Sequence, residues 1–246
     1  YRLVTRFDRK VVRVYSNLSF EGSGNSSLQF GRVTPDVRYR EFTYGDPLEL
    51  RAIPERGFEF ANWKITDPKN ANVAVDPASY LVDGTTFKVN NLASDLNVTA
   101  DFRWKPYTVN LGNKDKVNYV LTDAGDNFVN SSGLRLNDVV YLSASVQPNK
   151  GLSFLSVREN WVLSKTDDEG RWGDSLVDLQ ADGRVKLTIT GDFNATATVT
   201  KDLSDKDGDG LTAYDERSFW GTFVNIADSD GDGLPDGWEA SYLIDK

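Results

Sequence analysis

The first 200 residues of this chain contain one sequence pattern twice, and this duplication restricts the fold more than any other feature. Three segments recur at offsets of 92, 94 and 97 residues: 45–52 with 137–144, 54–60 with 148–154, and 97–102 with 194–199. Slowly growing offsets are expected of equivalent strands that are separated by short loop insertions. We therefore predict two tandem modules, at 8–105 and 106–201. Residues 1–7 would be the last strand of a preceding repeat or a strand that completes the first module.

Apolar and polar residues alternate along short segments of both copies, and the segments end in clusters of Gly, Asn, Asp and Pro. An alternation with a period of two is typical of half-buried β-strands, and such clusters are typical of turns. The segments are 11–15, 48–52, 107–111, 139–142, 185–189 and 195–199. The predicted fold class is therefore all-β, with two tandem modules of a β-sandwich or β-grasp-like kind.

A motif in the first module carries a resemblance to a known family. After a strand that ends at Ala52, the chain reads Pro54-x-x-Gly57-Phe58-x-Phe60-x-x-Trp63, and later Val98-Thr99-Ala100-x-Phe102. Residues 8–105 resemble the divergent B-repeat family named after internalin B. Residues 106–200 match less well, because Leu152 replaces the first aromatic residue, Trp161 comes late and Val199 replaces the closing Phe. The resemblance implies tandem, mostly β modules of exported bacterial proteins, which act as spacers or adhesive stalk segments.

The aromatic residues of the motif are predicted to form the core. Phe58, Phe60 and Trp63 are expected to face inward, because aromatic side chains bury large apolar areas. The alternative is an aromatic platform for sugars, with the candidates Trp63, Trp104, Trp161 and Trp172. Trp172 lies in the polar run 166–174, which reads as a long hairpin loop and is the better place for an exposed aromatic residue.

Two copies of one acidic loop follow the modules, at 205–216 and 228–239. Both place Asp at loop positions 1, 3 and 5, Gly at position 6 and Glu at position 12. This is the ligand spacing of a twelve-residue calcium loop, in which Gly permits a sharp turn and position 7 contributes a backbone carbonyl. The predicted ligands are Asp205, Asp207, Asp209, Leu211 and Glu216 in the first loop, and Asp228, Asp230, Asp232, Leu234, Asp236 and Glu239 in the second.

The two loops differ at position 9. Ala213 has no side-chain oxygen, so water would complete the first site, whereas Asp236 could bind an ion directly or through water. The alternative interpretation is an acidic, Gly-rich tail without fixed structure. Two complete matches with a spacing of 23 residues favour a small C-terminal module, at 202–246, that folds around two or more calcium ions and contains short helices.

The negative charge of the chain is concentrated in this segment. Residues 202–246 hold 12 of the 37 acidic and 3 of the 28 basic residues, so their net charge of −9 equals that of the whole chain. Carboxylates packed this closely repel one another. We therefore expect the segment to order poorly without cations, since two calcium ions would cancel four negative charges.

The acidic loops carry a second family resemblance, which is more specific than the one to B-repeats. Residues 203–246 resemble the thrombospondin type 3-like calcium repeats of bacterial surface proteins, through both acidic loops and the Gly221-Thr222 pair between them. The chain departs from that pattern at Phe223 and Val224, where a Pro and a further Asp often stand. The resemblance implies a segment that folds around its ions and links a surface domain to whatever follows.

The composition excludes several kinds of active site. The chain contains no His and no Cys, which rules out Ser-His-Asp triads, thiolate nucleophiles and zinc sites built on these residues. Chemistry by a pair of carboxylates stays open, but 37 carboxylates single out no pair. The absence of a basic stripe argues against nucleic-acid binding, and no apolar stretch approaches the roughly 18 residues of a membrane span.

These features together predict a non-enzymatic, structural or adhesive stalk segment of a large exported bacterial cell-surface protein, rigidified by calcium. Its expected partners are neighbouring repeats of the same chain or other copies of it, with a cell-surface protein or glycan as a further candidate. One alternative is a dockerin-like protein-binding module, which the 23-residue spacing fits although Glu stands at position 12. The other is a carbohydrate-binding appendage of a larger secreted enzyme.

Overall fold

The computed structural model describes residues 9–21, 29–36, 38–74, 80–148, 150–154, 161–165 and 177–244. The chain divides into two compact units, Tyr1–Pro106 and Tyr107–Lys246. The strand predicted at residues 1–7 lies outside the described residues, and so does Trp172. In the described part of the chain, no helix is long and apolar enough to cross a membrane.

The first unit consists of two sheets. Its described strands are β1 (Val11–Phe20), β2 (Gly31–Thr34), β3 (Arg40–Thr43), β4 (Leu48–Pro54), β5 (Phe58–Asp67), β6 (Asn70–Ala74), β7 (Leu81–Asp83), β8 (Thr86–Val89) and β9 (Leu96–Trp104). One sheet has the order β3-β1-β9-β5-β6 and the other β2-β4-β8-β7. The first and last described strands of this unit, β1 and β9, pair in parallel within one sheet.

The second unit repeats this topology. Its described strands are β10 (Tyr107–Leu111), β11 (Val117–Thr122), β12 (Ser132–Leu134), β13 (Val139–Val146), β14 (Leu152–Phe154), β15 (Trp161–Lys165), β16 (Val177–Leu179), β17 (Val185–Thr188), β18 (Phe193–Ala197) and β19 (Val199–Lys201). The sheet orders β12-β10-β18-β15 and β11-β13-β17-β16 correspond to the two sheets of the first unit. Its first strand, β10, likewise pairs in parallel with β18. The duplication seen in the sequence is therefore a duplication of strand order.

Strand pairing explains the late position of Trp161. Trp63 stands opposite Ala100 in the first unit, and Trp161 stands opposite Ala197 in the second. Trp161 follows Phe154 by seven residues, whereas Trp63 follows Phe60 by three. The four additional residues fall within positions 155–160, outside the described residues, and β14 and β15 together correspond to β5. The two tryptophans are thus equivalent, although their distances along the sequence differ.

Each unit has its own apolar core, formed by the inward-facing residues of its strands. Strand β9 shows the pattern directly, since Leu96, Val98, Ala100 and Phe102 are buried and the residues between them are less so. In the first unit Trp63 belongs to this core and Phe60 packs against it. Trp161 packs against the second core, which includes the fully buried Phe193. The prediction that the motif aromatics serve as core is confirmed for Trp63.

The C-terminal part of the second unit is helical. Helix α1 (Ala213–Asp215) begins after Thr212, whose side-chain oxygen accepts a hydrogen bond from the Asp215 amide, and continues as a π-helical turn over Glu216–Trp220. Gly221 ends this turn in the left-handed region, with a φ of 77°. Helix α2 spans Asp236–Ile244. The predicted fold class, all-β with short C-terminal helices, is confirmed.

Candidate metal centre

Two clusters of carboxylates lie in the turns that precede the helices. In the first loop (205–216), one carboxylate oxygen from each of Asp205, Asp207 and Asp209 lies within 4.8 Å of the others. In the second loop (228–239), Asp228, Asp230 and Asp232 converge within the same distance. Either cluster could hold a metal ion through three hard oxygen ligands, of the type that Ca²⁺ and Mg²⁺ prefer.

The backbone folds around both clusters in the same way. The Asp at position 1 accepts hydrogen bonds from the amides of positions 4 and 6, and the Asp at position 5 accepts one from the amide of position 7. The N···O distances are 2.7, 3.1 and 2.7 Å in the first loop and 2.7, 2.8 and 2.9 Å in the second. These bonds curl each loop so that its carboxylates face one point.

The curl requires glycine at two positions. The φ angles at positions 4 and 6 are +79° and +100° in the first loop and +79° and +98° in the second. Both values lie in the left-handed region, which costs an L-residue with a Cβ atom roughly 1–2 kcal/mol. The glycine at position 6 was expected from the spacing of the motif. The glycine at position 4 (Gly208 and Gly231) was not part of that expectation, although both copies contain it.

Glu216, at position 12 of the first loop, is the most unusual side chain of the site. It is completely buried, and its Oε2 atom has no hydrogen-bond partner among the described residues. Thr222 contacts only Oε1, at a distance of 3.5 Å. Burial raises the pKa of Glu216, and the nearby Asp207 and Asp209 raise it further. The Glu216 carboxylate therefore lies in the electrostatic field of the Asp cluster, and its Oε2 atom accepts no hydrogen bond from the residues that the structure describes.

Asp207 adds two more unpartnered oxygens at the same place. Its Oδ1 and Oδ2 atoms are both buried and, in the described part of the chain, neither accepts a hydrogen bond. Buried polar atoms of folded proteins are nearly always paired, and a bound water or ion is one of the established explanations of an exception. Asp207 also raises the pKa of Glu216, so the two carboxylates interact electrostatically, although the 4.8 Å cluster contains the three aspartates and not Glu216. Three buried oxygens from two interacting acidic groups have the chemistry of a cation site.

The second loop is more open. Glu239, at position 12, is partly exposed, and desolvation followed by the charges of Asp232 and Asp230 raises its pKa. It therefore also lies in the field of its Asp cluster. Glu239 is held at the start of α2, where its amide donates to the carbonyl of Pro235 over 3.2 Å.

Asp236, a predicted ligand of the second loop, forms hydrogen bonds within its own loop. This residue is 4 % exposed, and its carboxylate accepts hydrogen bonds from the Ser229 amide at 2.9 Å and the Ser229 hydroxyl at 2.6 Å. It begins α2 and fastens the helix to position 2 of its own loop. The cluster of mutually close carboxylates contains Asp228, Asp230 and Asp232. Asp236 thus has a structural role that its position in the motif did not reveal.

Both loops are closed by equivalent backbone hydrogen bonds. The amide of Ala213 donates to the carbonyl of Ser204, and the amide of Asp236 donates to that of Ala227, each over 2.8 Å. The predicted carbonyl ligands Leu211 and Leu234 lie directly before these closures, and their amides are fixed by the position-5 aspartates. The main chain at position 7 is therefore held in place in both copies.

The first loop is attached directly to the β-strands of its unit. The amide of Asp202 donates to the carbonyl of Gly151 over 2.8 Å, and the amide of Tyr214 donates to the carbonyl of Asp202 over 2.9 Å. The Lys201 ammonium lies 4.2 Å from the centre of the Tyr214 ring. Both ends of the loop thus return to the β14–β19 pair. No signal in the sequence indicated Gly151 as the contact point, because its hydrogen-bond partner Asp202 lies 51 residues further along the chain.

Three of the four tryptophans that were candidates for sugar binding pack against other residues of their unit. Trp63 is 8 % exposed and Trp161 packs against the second core. The Trp104 ring stacks on Phe58 with ring centres 4.5 Å apart, and the edge of Phe20 meets it at 5.5 Å. The remaining candidate, Trp172, lies outside the described residues.

Comparison with other proteins adds no family: no family model matches this chain, and no curated protein matches it.

Proposed function

We propose that the two loops bind calcium and that the ions fix the C-terminal segment onto the second β unit. The observation that carries the proposal is the group of buried, unpartnered oxygens on Asp207 and Glu216. An ionised carboxylate without a partner is expensive to bury, whereas a divalent cation would satisfy all of these oxygens at once.

The choice of calcium rests on the type and number of the ligands. Each loop offers three Asp side chains, a carbonyl at position 7 and a Glu at position 12, which can provide six or more oxygens. Calcium accepts six to eight oxygens in a flexible shell, while magnesium demands an octahedron and keeps several waters. Six or more protein oxygens around a flexible, Gly-containing turn suit calcium better.

Calcium would act here as a structural element. The first loop begins and ends on the β14–β19 pair, through Gly151 and Tyr214. An ion in the loop would therefore fix the chain that leaves the β unit. Binding to the folded state stabilises a protein by about 2.7 kcal/mol per site when the ion concentration is a hundred times Kd.

The protein that fits these features is a non-enzymatic stalk segment of a large exported bacterial surface protein. Support comes from the two units of equal topology, the calcium loops joined to the second unit, and the sequence resemblance to B-repeats and thrombospondin type 3-like repeats. Neighbouring repeats of the same chain, or other copies of it, would be its partners. Extracellular calcium, at millimolar concentration, would keep sites of modest affinity filled.

Calorimetric titration of the EDTA-stripped protein tests the metal site. We expect two calcium ions per chain and much weaker binding of magnesium. The double variant Asp207→Asn/Glu216→Gln should lose one of the two ions. A matched control, Glu55→Gln, removes a carboxylate from an exposed ion pair with Arg32 and should bind both. If the wild-type protein binds no calcium up to 10 mM, about tenfold above the weak limit for extracellular modules, the proposed function is wrong.

The location requires a separate test in the cell. Antibodies raised against residues 107–246 should label intact cells of the source organism, and added protease should remove the signal without lysis. Labelling only after lysis would contradict a surface location, whatever the calcium titration shows.

Exposed apolar side chains on the metal-loop segment favour protein binding as the second candidate function. Trp238, Tyr242 and Leu243 on α2 are each more than half exposed. In a dockerin-like role, this helix would contact a partner domain with a complementary apolar groove. Capture of one dedicated partner by wild-type protein, lost in Trp238→Ala/Leu243→Ala with calcium binding intact, would support this candidate over the stalk.

A further inference from the structure

A hydrogen bond from a backbone amide to a carboxylate joins the two metal loops. Gly237, at position 10 of the second loop, donates its amide to Asp209 Oδ2 of the first loop over 3.1 Å. A Cβ atom on Gly237 would lie 2.1 Å from the Asp209 carbonyl oxygen, which is far inside van der Waals contact. Only glycine allows the start of α2 to approach the first loop this closely.

This contact holds a predicted ligand of the first site from both sides. Asp209 Oδ1 accepts the amide of Leu211 at 2.7 Å within its own loop, while Oδ2 accepts the amide of Gly237 from the other loop. The equivalent residue of the second loop, Asp232, accepts only the bond within its own loop among the described residues. A ligand of the first site is therefore oriented by the second loop, whereas Asp232 of the second site has no equivalent hydrogen bond from the first loop in the described part of the chain.

The same helix connects this contact to the second ion. Glu239, the position-12 residue, lies two positions after Gly237 in the first turn of α2. An ion bound by Glu239 and the Asp228, Asp230 and Asp232 cluster would fix the start of α2. Fixing the start of α2 also fixes the Gly237 amide over Asp209, so the carboxylate of the first site would already be oriented when calcium arrives.

We propose that the two sites bind calcium with positive cooperativity, through the Gly237–Asp209 contact. The inference rests on the proposed function, because it takes both loops to be calcium sites. By thermodynamic linkage, occupancy of either loop raises the affinity of the other by the same factor. Couplings of this kind are typically about 5- to 150-fold, and we expect at least about fivefold here.

Disabling one loop at a time measures the coupling. Asp230→Asn/Glu239→Gln removes the second site, and the calcium affinity of the remaining first site should fall by at least about fivefold relative to its affinity in the wild type. Asp207→Asn/Glu216→Gln removes the first site, and the affinity of the second should fall by the same factor. Unequal factors, or a first-site affinity that stays within twofold, would overturn the proposal. Failure of the wild type to bind any calcium would instead reject the proposed function.

Gly237→Ala tests the Gly237–Asp209 contact without removing any ligand of either ion. The variant retains all predicted ligands, and alanine is intrinsically better than glycine in a helix. We expect the first loop to bind calcium with the same affinity in Gly237→Ala as in Asp230→Asn/Glu239→Gln. Combining all three substitutions should not lower this affinity further. The control Leu243→Ala alters an exposed side chain of α2 and should bind like the wild type. Additive effects of Gly237→Ala and the second-site variant would contradict coupling through this contact.

Discussion

Glu216 shows how a single residue links folding of the segment to ion binding. Its carboxylate is buried beside Asp207 and Asp209, and both burial and these neighbours raise its pKa. Without a cation, the ionised group therefore opposes the folded state. With a cation, the same carboxylate becomes a ligand and favours the folded state. The sign of its contribution to stability depends on whether the ion is present.

Replacing Glu216 by Gln should accordingly have opposite effects in the two conditions. In EDTA, we expect the melting temperature of the second unit to rise by about 2–4 °C, the shift that roughly 1 kcal/mol produces in a domain of this size, because the buried charge is gone. In calcium, the variant should melt below the wild type, since it lacks the position-12 carboxylate. Calorimetry under both conditions measures this inversion. A variant that is destabilised equally in EDTA and calcium would show that Glu216 has only a packing role.

Asp101 provides a prediction on pH dependence that is independent of metal. It lies on β9 and accepts a hydrogen bond from the Ser19 hydroxyl. Burial raises its pKa, Glu21 raises it further, and Lys64 lowers it. The folded state therefore binds more protons than the unfolded state between the ordinary Asp pKa and the raised value, so the free energy of unfolding falls as the pH rises through this window.

Asp101→Asn should remove that loss. In EDTA, the urea midpoint of the first unit should be higher for the variant than for the wild type at pH 7, and the two should converge below about pH 3.5, under the ordinary Asp pKa. Lys64→Gln removes the charge that lowers the pKa of Asp101, so it should steepen the loss of stability. Equal midpoints of the wild type and Asp101→Asn at pH 7 would contradict the assigned environment.

At the scale of the elements, local sequence patterns predicted where the loops lie, but they did not predict the hydrogen bonds that fix the loops in place. The position of each Asp and the helical character of 213–220 follow from spacing and capping within a few residues, so the sequence carries them. The engagement of Asp236 by Ser229 was not foreseen, because a carboxylate at this loop position can either accept hydrogen bonds from its own loop or coordinate an ion. The spacing motif does not distinguish these two uses.

Gly151 joins the loop segment to the β-strands, and its replacement tests that junction. Its φ is +57°, and a Cβ atom there would lie 2.6 Å from Tyr214 Cα and 2.7 Å from the Ala213 carbonyl oxygen. Gly133 is a matched control in the same unit, with a φ of +78° and no atom within 4 Å of a Cβ. Alanine costs about 1 kcal/mol of backbone strain at either position.

Gly151→Ala should therefore destabilise the second unit more than Gly133→Ala, by the additional clash with the loop segment. It should also make residues 202–246 more sensitive to protease in calcium, which Gly133→Ala should not do. Limited proteolysis followed by mass spectrometry locates the cuts. Equal cleavage of the two variants would show that the Gly151 contact does not hold the segment.

At the scale of the whole molecule, the duplication was visible in the sequence, but its register was not. Offsets of 92, 94 and 97 residues indicated equivalent strands. Trp161 was recognised in the sequence as a late counterpart of Trp63, but the four additional residues after Phe154 made the match look poor. Strand pairing shows the equivalence, because the two tryptophans stand opposite Ala100 and Ala197. The parallel pairs β1–β9 and β10–β18 connect residues 82 and 84 positions apart, which no local pattern encodes.

Because each unit has its own core and the metal loops attach to the second, calcium should stabilise only one of two unfolding transitions. Phe102→Leu and Phe193→Leu each weaken one core by about 1 kcal/mol, since both rings are fully buried and leucine retains most of the apolar volume. In EDTA, each variant should lower a different transition in a calorimetric scan. Added calcium should then raise the transition that Phe193→Leu lowers and leave the other in place. If calcium raises both transitions, or if either substitution lowers both, the two units unfold as one cooperative body and the loops stabilise the entire chain.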